Sequence, residues 1–272
     1  MIAADPRPLP AGAAAPAVSW LLCTHVANEQ LRLALRSCLD QTFADFEVVL
    51  VLNGDTTFDV ENAVRRWHGD DRRLRVVSTE VRHLTFSLAL GLHCARGELV
   101  ARMDSDDLSS RDRLERQVAF MRAHPEVVVL GTDYELIDEA GRPVRRVSMP
   151  ATDSKIRRAM LRGNPLCHPS VMFRRAAVLS AGGYLGGIYA QDYDLWTRLA
   201  VDPLNRFANL PQVCLGYRMQ GVGSARKARW AYASMAASQY RNFVLGRGFA
   251  WGIAAMLSLL KAILRSSPER RA

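Results

Sequence analysis

Asp104, Asp106 and Asp107 put three carboxylates into four consecutive positions, directly after the apolar-rich run Glu98-Leu99-Val100-Ala101-Arg102-Met103. Carboxylates this close repel one another unless a positive group sits among them. A hard divalent cation meets that need, because such ions take one or two protein carboxylates and complete their shell with water and substrate phosphates. The run before the acids reads as a strand, so the acids stand where a strand gives way to a loop. In open α/β sheets the crevice beyond the carboxyl ends of the strands is where ligands bind. The same residues also suit a solvated acidic turn that starts the helix beginning near Arg111, since aspartate favours helix N-termini.

A second acidic pair, Asp192 and Asp194, opens a helical stretch after the glycines Gly182, Gly183, Gly186 and Gly187. Helix capping accounts for both, and for Asp194 at least as well as any chemical role. A glycine-rich loop running into an acid is also how a lid and a base would be arranged. Two separated acidic sites predict a division of labour. One would hold a metal–phosphate leaving group while the other takes a proton from an attacking hydroxyl.

The elements that must position these acids alternate along the chain. Strands are predicted at Val18–Cys23, Phe46–Leu52 and Leu74–Ser78, the second apolar enough to be buried on both faces. Helical spacing covers 28–41, 60–67 and 86–95, the last ending at Gly97 as C-cap. The strand before the acids follows, then a helix over 111–124. Strands at 127–137, 144–149 and 170–174 and helices at 153–161 and 191–200 complete the pattern. Alternation of this kind predicts an α/β fold with a mostly parallel sheet flanked by helices.

Residues 1–16, rich in alanine and proline, read as a disordered lead-in without the basic start or apolar run of a signal peptide. Residues 17–224 form the α/β domain, and 225–272 a basic, amphipathic helical tail. The five cysteines are scattered and include no C-x-x-C pair, which argues against a disulfide framework or zinc site and suits a reducing compartment. The net charge of +9 at first suggests nucleic acid. Its placement excludes that reading: nine basic residues and one acid lie beyond Gly223, so the rest is nearly neutral. Within the tail, 249–264 is almost wholly apolar, with Arg247, Ser258, Lys261 and Arg265 on one helical stripe. Sixteen residues rise about 24 Å, short of the roughly 30 Å hydrocarbon core. The tail therefore reads as an interfacial helix on an anionic membrane surface, or as a helix packed on the body.

Several motifs together resemble one family. They are Leu35-Arg36-Ser37-Cys38-Leu39-Asp40-Gln41-Thr42-Phe43; Ala101-Arg102-Met103-Asp104-Ser105-Asp106-Asp107 with Arg113-Leu114-Glu115-Arg116-Gln117; Asn164-Pro165-Leu166-Cys167-His168-Pro169-Ser170; Gln191-Asp192-Tyr193-Asp194; and Tyr217-Arg218. In order and spacing they resemble bacterial family 2 glycosyltransferases of the inverting, GT-A type, from about Val18 to Arg218. The resemblance implies a Rossmann-like GT-A sheet, with residues 225–272 as a C-terminal helical appendage. It further implies transfer of a sugar from a nucleotide-sugar donor, usually a uridine diphosphate sugar, to a glycan or lipid-linked acceptor. By that analogy Asp106 binds a divalent metal (Mn2+ or Mg2+), and Asp104 and Asp107 face the donor or acceptor. Thr24 and Asn53 form the nucleoside pocket, His168 approaches the diphosphate or acceptor, and Asp192 is the general base. The implied location is cytoplasmic, peripheral on the cytoplasmic face of the inner membrane.

The chain also departs from the family pattern. Cys23-Thr24-His25-Val26 stands where Pro-x-Tyr-Asn is common, and Asn53 where an acid is usual. Gln191 precedes Asp192 in place of an acid, and Met219-Gln220 replaces a histidine. These departures leave room for a second reading, a catalytically decayed nucleotide-sugar-binding or membrane scaffold protein. A nucleotidyltransferase fits less well, because no glycine-rich, basic phosphate loop follows the first strand.

Overall fold

A computed structural model of the chain describes residues 2–3, 14–55, 57–69, 71–219 and 224–265. One mixed sheet runs through the molecule. At its outer edge β1 (Ile2–Ala3) pairs antiparallel with a strand of the first parallel group. That group comprises β2 (Val18–Thr24), β3 (Phe46–Asn53), β4 (Leu74–Thr79) and β5 (Leu99–Arg102), in the order β4-β3-β2-β5. The chain steps outward from β2 to β3 to β4, then returns across β2 to lay down β5. Strand order therefore reverses between β2 and β5, which opens a crevice at their carboxyl ends.

The second half of the sheet contains β6 (Leu108–Ser109), β7 (Val127–Ile137), β8 (Pro143–Val147), β9 (Met172–Arg174) and β10 (Arg206–Arg218). The short β9 is antiparallel to both β5 and β7 and joins the two halves. β10 runs parallel to β7, while β6 pairs antiparallel with β10 and β8 with β7.

Every residue of β3 is buried, because helices cover both faces. Val48, Leu50 and Leu52 share one core with α1 (Glu29–Leu39), α2 (Thr57–His68) and, across β2 and β5, α4 (Arg113–Ala123). Val49 and Val51, pointing the other way, meet α3 (Leu84–Cys94). Their core continues into α5 (Asp153–Met160), α6 (Arg175–Ser180) and α7 (Gln191–Leu199). Each fully buried aliphatic side chain contributes about 1.5–3 kcal/mol, so an uninterrupted apolar strand requires both helical layers. Two further helices, α8 (Ser224–Val244) and α9 (Phe249–Leu264), form a hairpin whose first arm packs on α7.

Several expectations change in detail. The lead-in expected over 1–16 lies mostly outside the described residues, and Ile2–Ala3, which are described, are paired with β4. α3 ends not on Gly97 but on Ala95, whose N–H returns to the carbonyl of Gly91 at 2.9 Å. Gly97 serves close approach instead: a Cβ there would lie 2.6 Å from the backbone nitrogen of Ser19. The strand expected at 170–174 begins only at Met172, because Pro169 sets a 3-10 turn over His168–Ser170. β10 had no counterpart in the sequence reading. Pro211 interrupts it, and the strand absorbs the break as register shifts against β7 between Leu210 and Leu215. All five cysteines are free thiols.

Gly97→Ala is expected to destabilise the fold by about 1–3 kcal/mol, since the added methyl meets main chain that cannot rotate away. Urea unfolding at equilibrium checks this, and an unchanged midpoint would contradict it.

Candidate active site

The loop that carries the acids is built on a buried arginine. Arg113, in the first turn of α4, is fully buried and stacks over Trp20, its guanidinium 4.8 Å from the ring centre. It donates to the carbonyls of Arg102 (2.9 Å), Pro169 (2.9 Å) and Val171 (3.3 Å), and to Oε1 of Gln117 (3.0 Å). Burial lowers its pKa to about 10, so it remains a cation at neutral pH. One turn on, Gln117 donates to the carbonyls of Leu130 and Ser170. The two side chains thereby join the end of β5, the 168–171 turn and β7. Gln41 fixes the start of α4, accepting from the N–H of Leu114 at 3.1 Å and donating to the carbonyl of Ser110 at 2.9 Å.

Beyond this anchor, one carboxylate oxygen from each of Asp104, Asp106 and Asp107 lies within 4.8 Å of the others. Asp107 is buried; its Oδ1 accepts the backbone N–H of Arg218 at 2.7 Å, while Oδ2 has no partner. Burial, then the charge of Asp104, pushes its pKa up to about 8. Arg218, at the end of β10, also donates to the carbonyl of Asp106 at 2.7 Å and to those of Asp138 and Glu139. Asp104 pairs with Arg102, a buried guanidinium whose Nε and Nη1 have no hydrogen-bond partner. A solvated turn that starts a helix describes this arrangement less well: Asp107 is buried, β6 follows the acids, and the helix begins at Arg113 with Asp112 as its N-cap, while Asp104 and Asp106 are half-buried. Three convergent carboxylates, one with an unpartnered buried oxygen, form a donor set suited to a hard divalent cation.

Thr24, Asn53, Asp104 and Asp106 share one cleft of about 480 Å³ at the carboxyl ends of β2, β3 and β5. Thr24 is occupied in a turn, its Oγ1 donating to the carbonyl of Val26 at 3.0 Å. Asn53 donates from Nδ2 to Ser87 at 2.7 Å. His25, in the stretch that departs from the family pattern, lines the same cleft, as do Arg82 and His83. Arg82 and His83 lie on a loop with no motif, so only the tertiary structure brings them in. Arg82 adds a positive charge to the cleft wall.

Asp192 stands in the first turn of α7, half-buried, with Asn164 donating to its Oδ2 at 2.5 Å. Burial raises its pKa, opposed by the N–H of Tyr193, the Asn164 amide and the charge of Arg102. Gly186 packs so tightly on this turn that a Cβ would come within 2.8 Å of the Gln191 Cα. His168 does not line the cleft; its Nε2 meets the hydroxyl of Tyr184 at 2.9 Å, and burial, then Arg102, holds its pKa well below the usual imidazole range. The charges of both Asp104 and Asp192 act on Tyr184. Tyr184 thus feels the charge of both acidic sites, and neither it nor Arg102 stands out in the sequence as a site residue. Asp194 has a separate role. It pairs with Arg198 (2.8 Å) and Arg241 of α8 (2.6 Å), and these bonds hold its pKa low against the opposing effect of burial. Gln220, where relatives commonly carry histidine, lies outside the described residues.

Comparison with known proteins adds the following. Residues 19–181 match Glycosyl transferase family 2. The chain is 29% identical over 249 residues to the O-antigen biosynthesis glycosyltransferase WbnJ of Escherichia coli, covering 91% of this chain and 97% of that one. It is 33% identical over 215 residues to the amylovoran biosynthesis glycosyltransferase AmsE of Erwinia amylovora, covering 78% and 79%. Among solved structures it resembles the Pyrobaculum calidifontis mannosyltransferase PcManGT, bound to GDP-Man and Mn2+. That likeness has a TM-score of 0.69 at 21% identity and spans 97% of this chain and 76% of the other, which shows the fold.

Arg113→Leu is expected to cost about 3–5 kcal/mol, because it strands the carbonyls that the guanidinium serves inside the core. Lysine at 113 would recover only part of this, having no planar fork. Denaturant unfolding of both variants tests the point. Equal stability of Arg113→Leu and the parent chain would show that the anchor is dispensable.

Proposed function

The chain belongs to Glycosyl transferase family 2 and is an enzyme, and from that premise we propose an inverting transfer from a nucleoside diphosphate sugar to an acceptor hydroxyl. The donor read from the residues is a uridine diphosphate sugar. The acceptor is a hydroxyl of a cell-surface glycan or its lipid-linked precursor, and the setting is the cytoplasmic face of the inner membrane. The observation that carries the reading is the convergence of Asp104, Asp106 and the buried Asp107 beside a donor-sized cleft that Asp104 and Asp106 line, with a second carboxylate, Asp192, whose charge acts on the same Tyr184 as that of Asp104. Support for the acceptor class comes from relatives named for O-antigen and amylovoran biosynthesis, and support for a metal from the Mn2+ held by PcManGT.

Asp106 and Asp107, with Asp104 beside them, would hold a divalent cation, Mn2+ or Mg2+, which when bound supplies positive charge to the departing diphosphate. Thr24, Asn53 and Arg82 orient the nucleoside and phosphates in the cleft. Asp192 accepts the acceptor's hydroxyl proton as the new carbon–oxygen bond forms and the bond from the anomeric carbon to the diphosphate breaks. Its environment suits that task, because burial makes it a stronger base than a solvated carboxylate while the Asn164 amide keeps it aimed. His168 holds Tyr184 in place between the two acidic sites.

Asp192→Asn is expected to lower kcat by about 10²–10⁴-fold with donor affinity retained. Asp106→Asn is expected to weaken metal-dependent donor binding, read as loss of the thermal shift produced by a nucleoside diphosphate with Mn2+. Undiminished turnover in both variants would remove these assignments, and a shift produced by guanosine but not uridine diphosphate would remove the uridine reading. The pH dependence carries a sign. Asp192 must be ionised, so activity falls as pH drops through its raised pKa. Asn164→Ala removes a bond to the ionised form, so the acid limb of kcat/KM should move to higher pH. A limb that stays or moves down would contradict this.

A further inference from the structure

We propose that the α8–α9 hairpin seats this protein on an anionic lipid bilayer, with the outward face of α9 lying in the headgroup interface. This deepens the membrane setting read above and rests on that reading for the acceptor, though not for the binding itself.

The packing of α9 is the reverse of what an ordinary surface helix shows. A helix that packs on its own protein turns its large apolar residues inward. Here the buried positions are the small Ala254, Ala255, Ser258 and Ala262. Phe249, Ile253, Met256, Leu257, Leu260 and Leu264 face outward and are 49–82% exposed. At 100° per residue they make one continuous stripe with no polar side chain in it. Close approach explains the inversion: Gly252 lies so near the ring of Phe243 on α8 that a Cβ would sit 3.0 Å from it. Small residues let the helices touch, and the large ones are left outside, bordering an apolar cleft of about 720 Å³ between the two arms. Soluble monomers rarely leave so large a contiguous apolar face uncovered.

Charge identifies the occupant. No aspartate or glutamate lies between Ala225 and Pro268. Lys261 and Arg265 stand at the edge of the stripe over the ring of Tyr232, at 5.6 and 4.8 Å, and Arg229 and Trp230 are exposed on α8. An apolar stripe edged by cations and aromatic rings matches an anionic interface. A second copy fits less well, because a two-fold contact would bring together two acid-free surfaces with no opposite charge to pair. Among the described residues no helix is long and apolar enough to cross a membrane, so α9 lies in the plane.

The hairpin is also clamped to the catalytic helix. Arg241 pairs with Asp194, and Gln239 donates to the hydroxyl of Tyr193 at 2.9 Å, both one turn or less from Asp192. Docking α9 therefore fixes the height of Asp192 above the bilayer, where the hydroxyl of a lipid-linked acceptor would be presented.

The test is co-sedimentation of the full chain, without donor or metal, with vesicles of phosphatidylcholine and phosphatidylglycerol at 70:30, and with phosphatidylcholine alone. The parent chain should bind the anionic vesicles. Leu257→Asp with Leu260→Asp, at exposed positions that leave the melting temperature unchanged, should reduce binding at least tenfold. Lys261→Gln with Arg265→Gln should reduce binding to anionic vesicles roughly fivefold per charge, leaving pure phosphatidylcholine unaffected. Absence of binding by the parent chain, or equal binding by the Leu257/Leu260 variant, overturns the proposal. So does a concentration-dependent dimer abolished by those substitutions without vesicle binding. Because no donor is present, a failed transfer assay leaves this result standing, and failed vesicle binding leaves the transfer reading standing.

Discussion

The structure depends on one buried cation, the guanidinium of Arg113. It has no carboxylate partner and is instead held by backbone carbonyls, a glutamine and the face of Trp20. A charge so placed is costly unless its N–H groups are served, which imposes a strict geometry on whatever supplies the oxygens. The suppliers are the last residue of β5 and the turn around Pro169. Satisfying Arg113 therefore sets the position from which the acidic loop departs and the segment that carries His168. The resulting frame fixes the protein side of the site, as the proposed cation and diphosphate would require of pre-placed ligands.

Around that frame the charges are arranged in opposition. Asp104, Asp106 and Asp107 concentrate negative charge that Arg102 offsets from within and Arg218 ties down from β10. Oδ2 of Asp107 and Nε and Nη1 of Arg102 have no protein partner, and buried polar groups of this kind, costly when left alone, suit the cation and donor proposed for the site. At the other acidic site two neighbouring aspartates have divided roles. Asp192 is made basic by burial, and Asp194 is neutralised by two arginines and used to fasten the C-terminal hairpin.

Much of this was legible in the residues. Alternating strand and helix periods marked the α/β class, and the spacing of the acids marked their place at a strand end. The motif series around Gln41, Arg113, His168 and Arg218 carried the family resemblance without revealing what those residues do. Gln41, Arg113 and Arg218 prove to be joints of the site. Their partners are backbone carbonyls and amides, mostly distant in sequence, and backbone groups leave no signature in a sequence. β10 has no clear period in the sequence because Pro211 breaks it, although a strand can carry proline where its register is irregular.

The sequence by itself determined the fold class, the family and the residue types available for metal binding and proton transfer, because periodicity and motif spacing are local properties. Only the tertiary structure set the aspartates apart from one another. Burial, hydrogen-bond partners and neighbouring charge separate Asp107 from Asp106 and Asp192 from Asp194, and none of these can be read along a chain. The tail follows the same rule. Its composition was amphipathic in sequence, but which face turns outward depended on whether alanines or leucines could meet α8 at close range, and that is a property of packing.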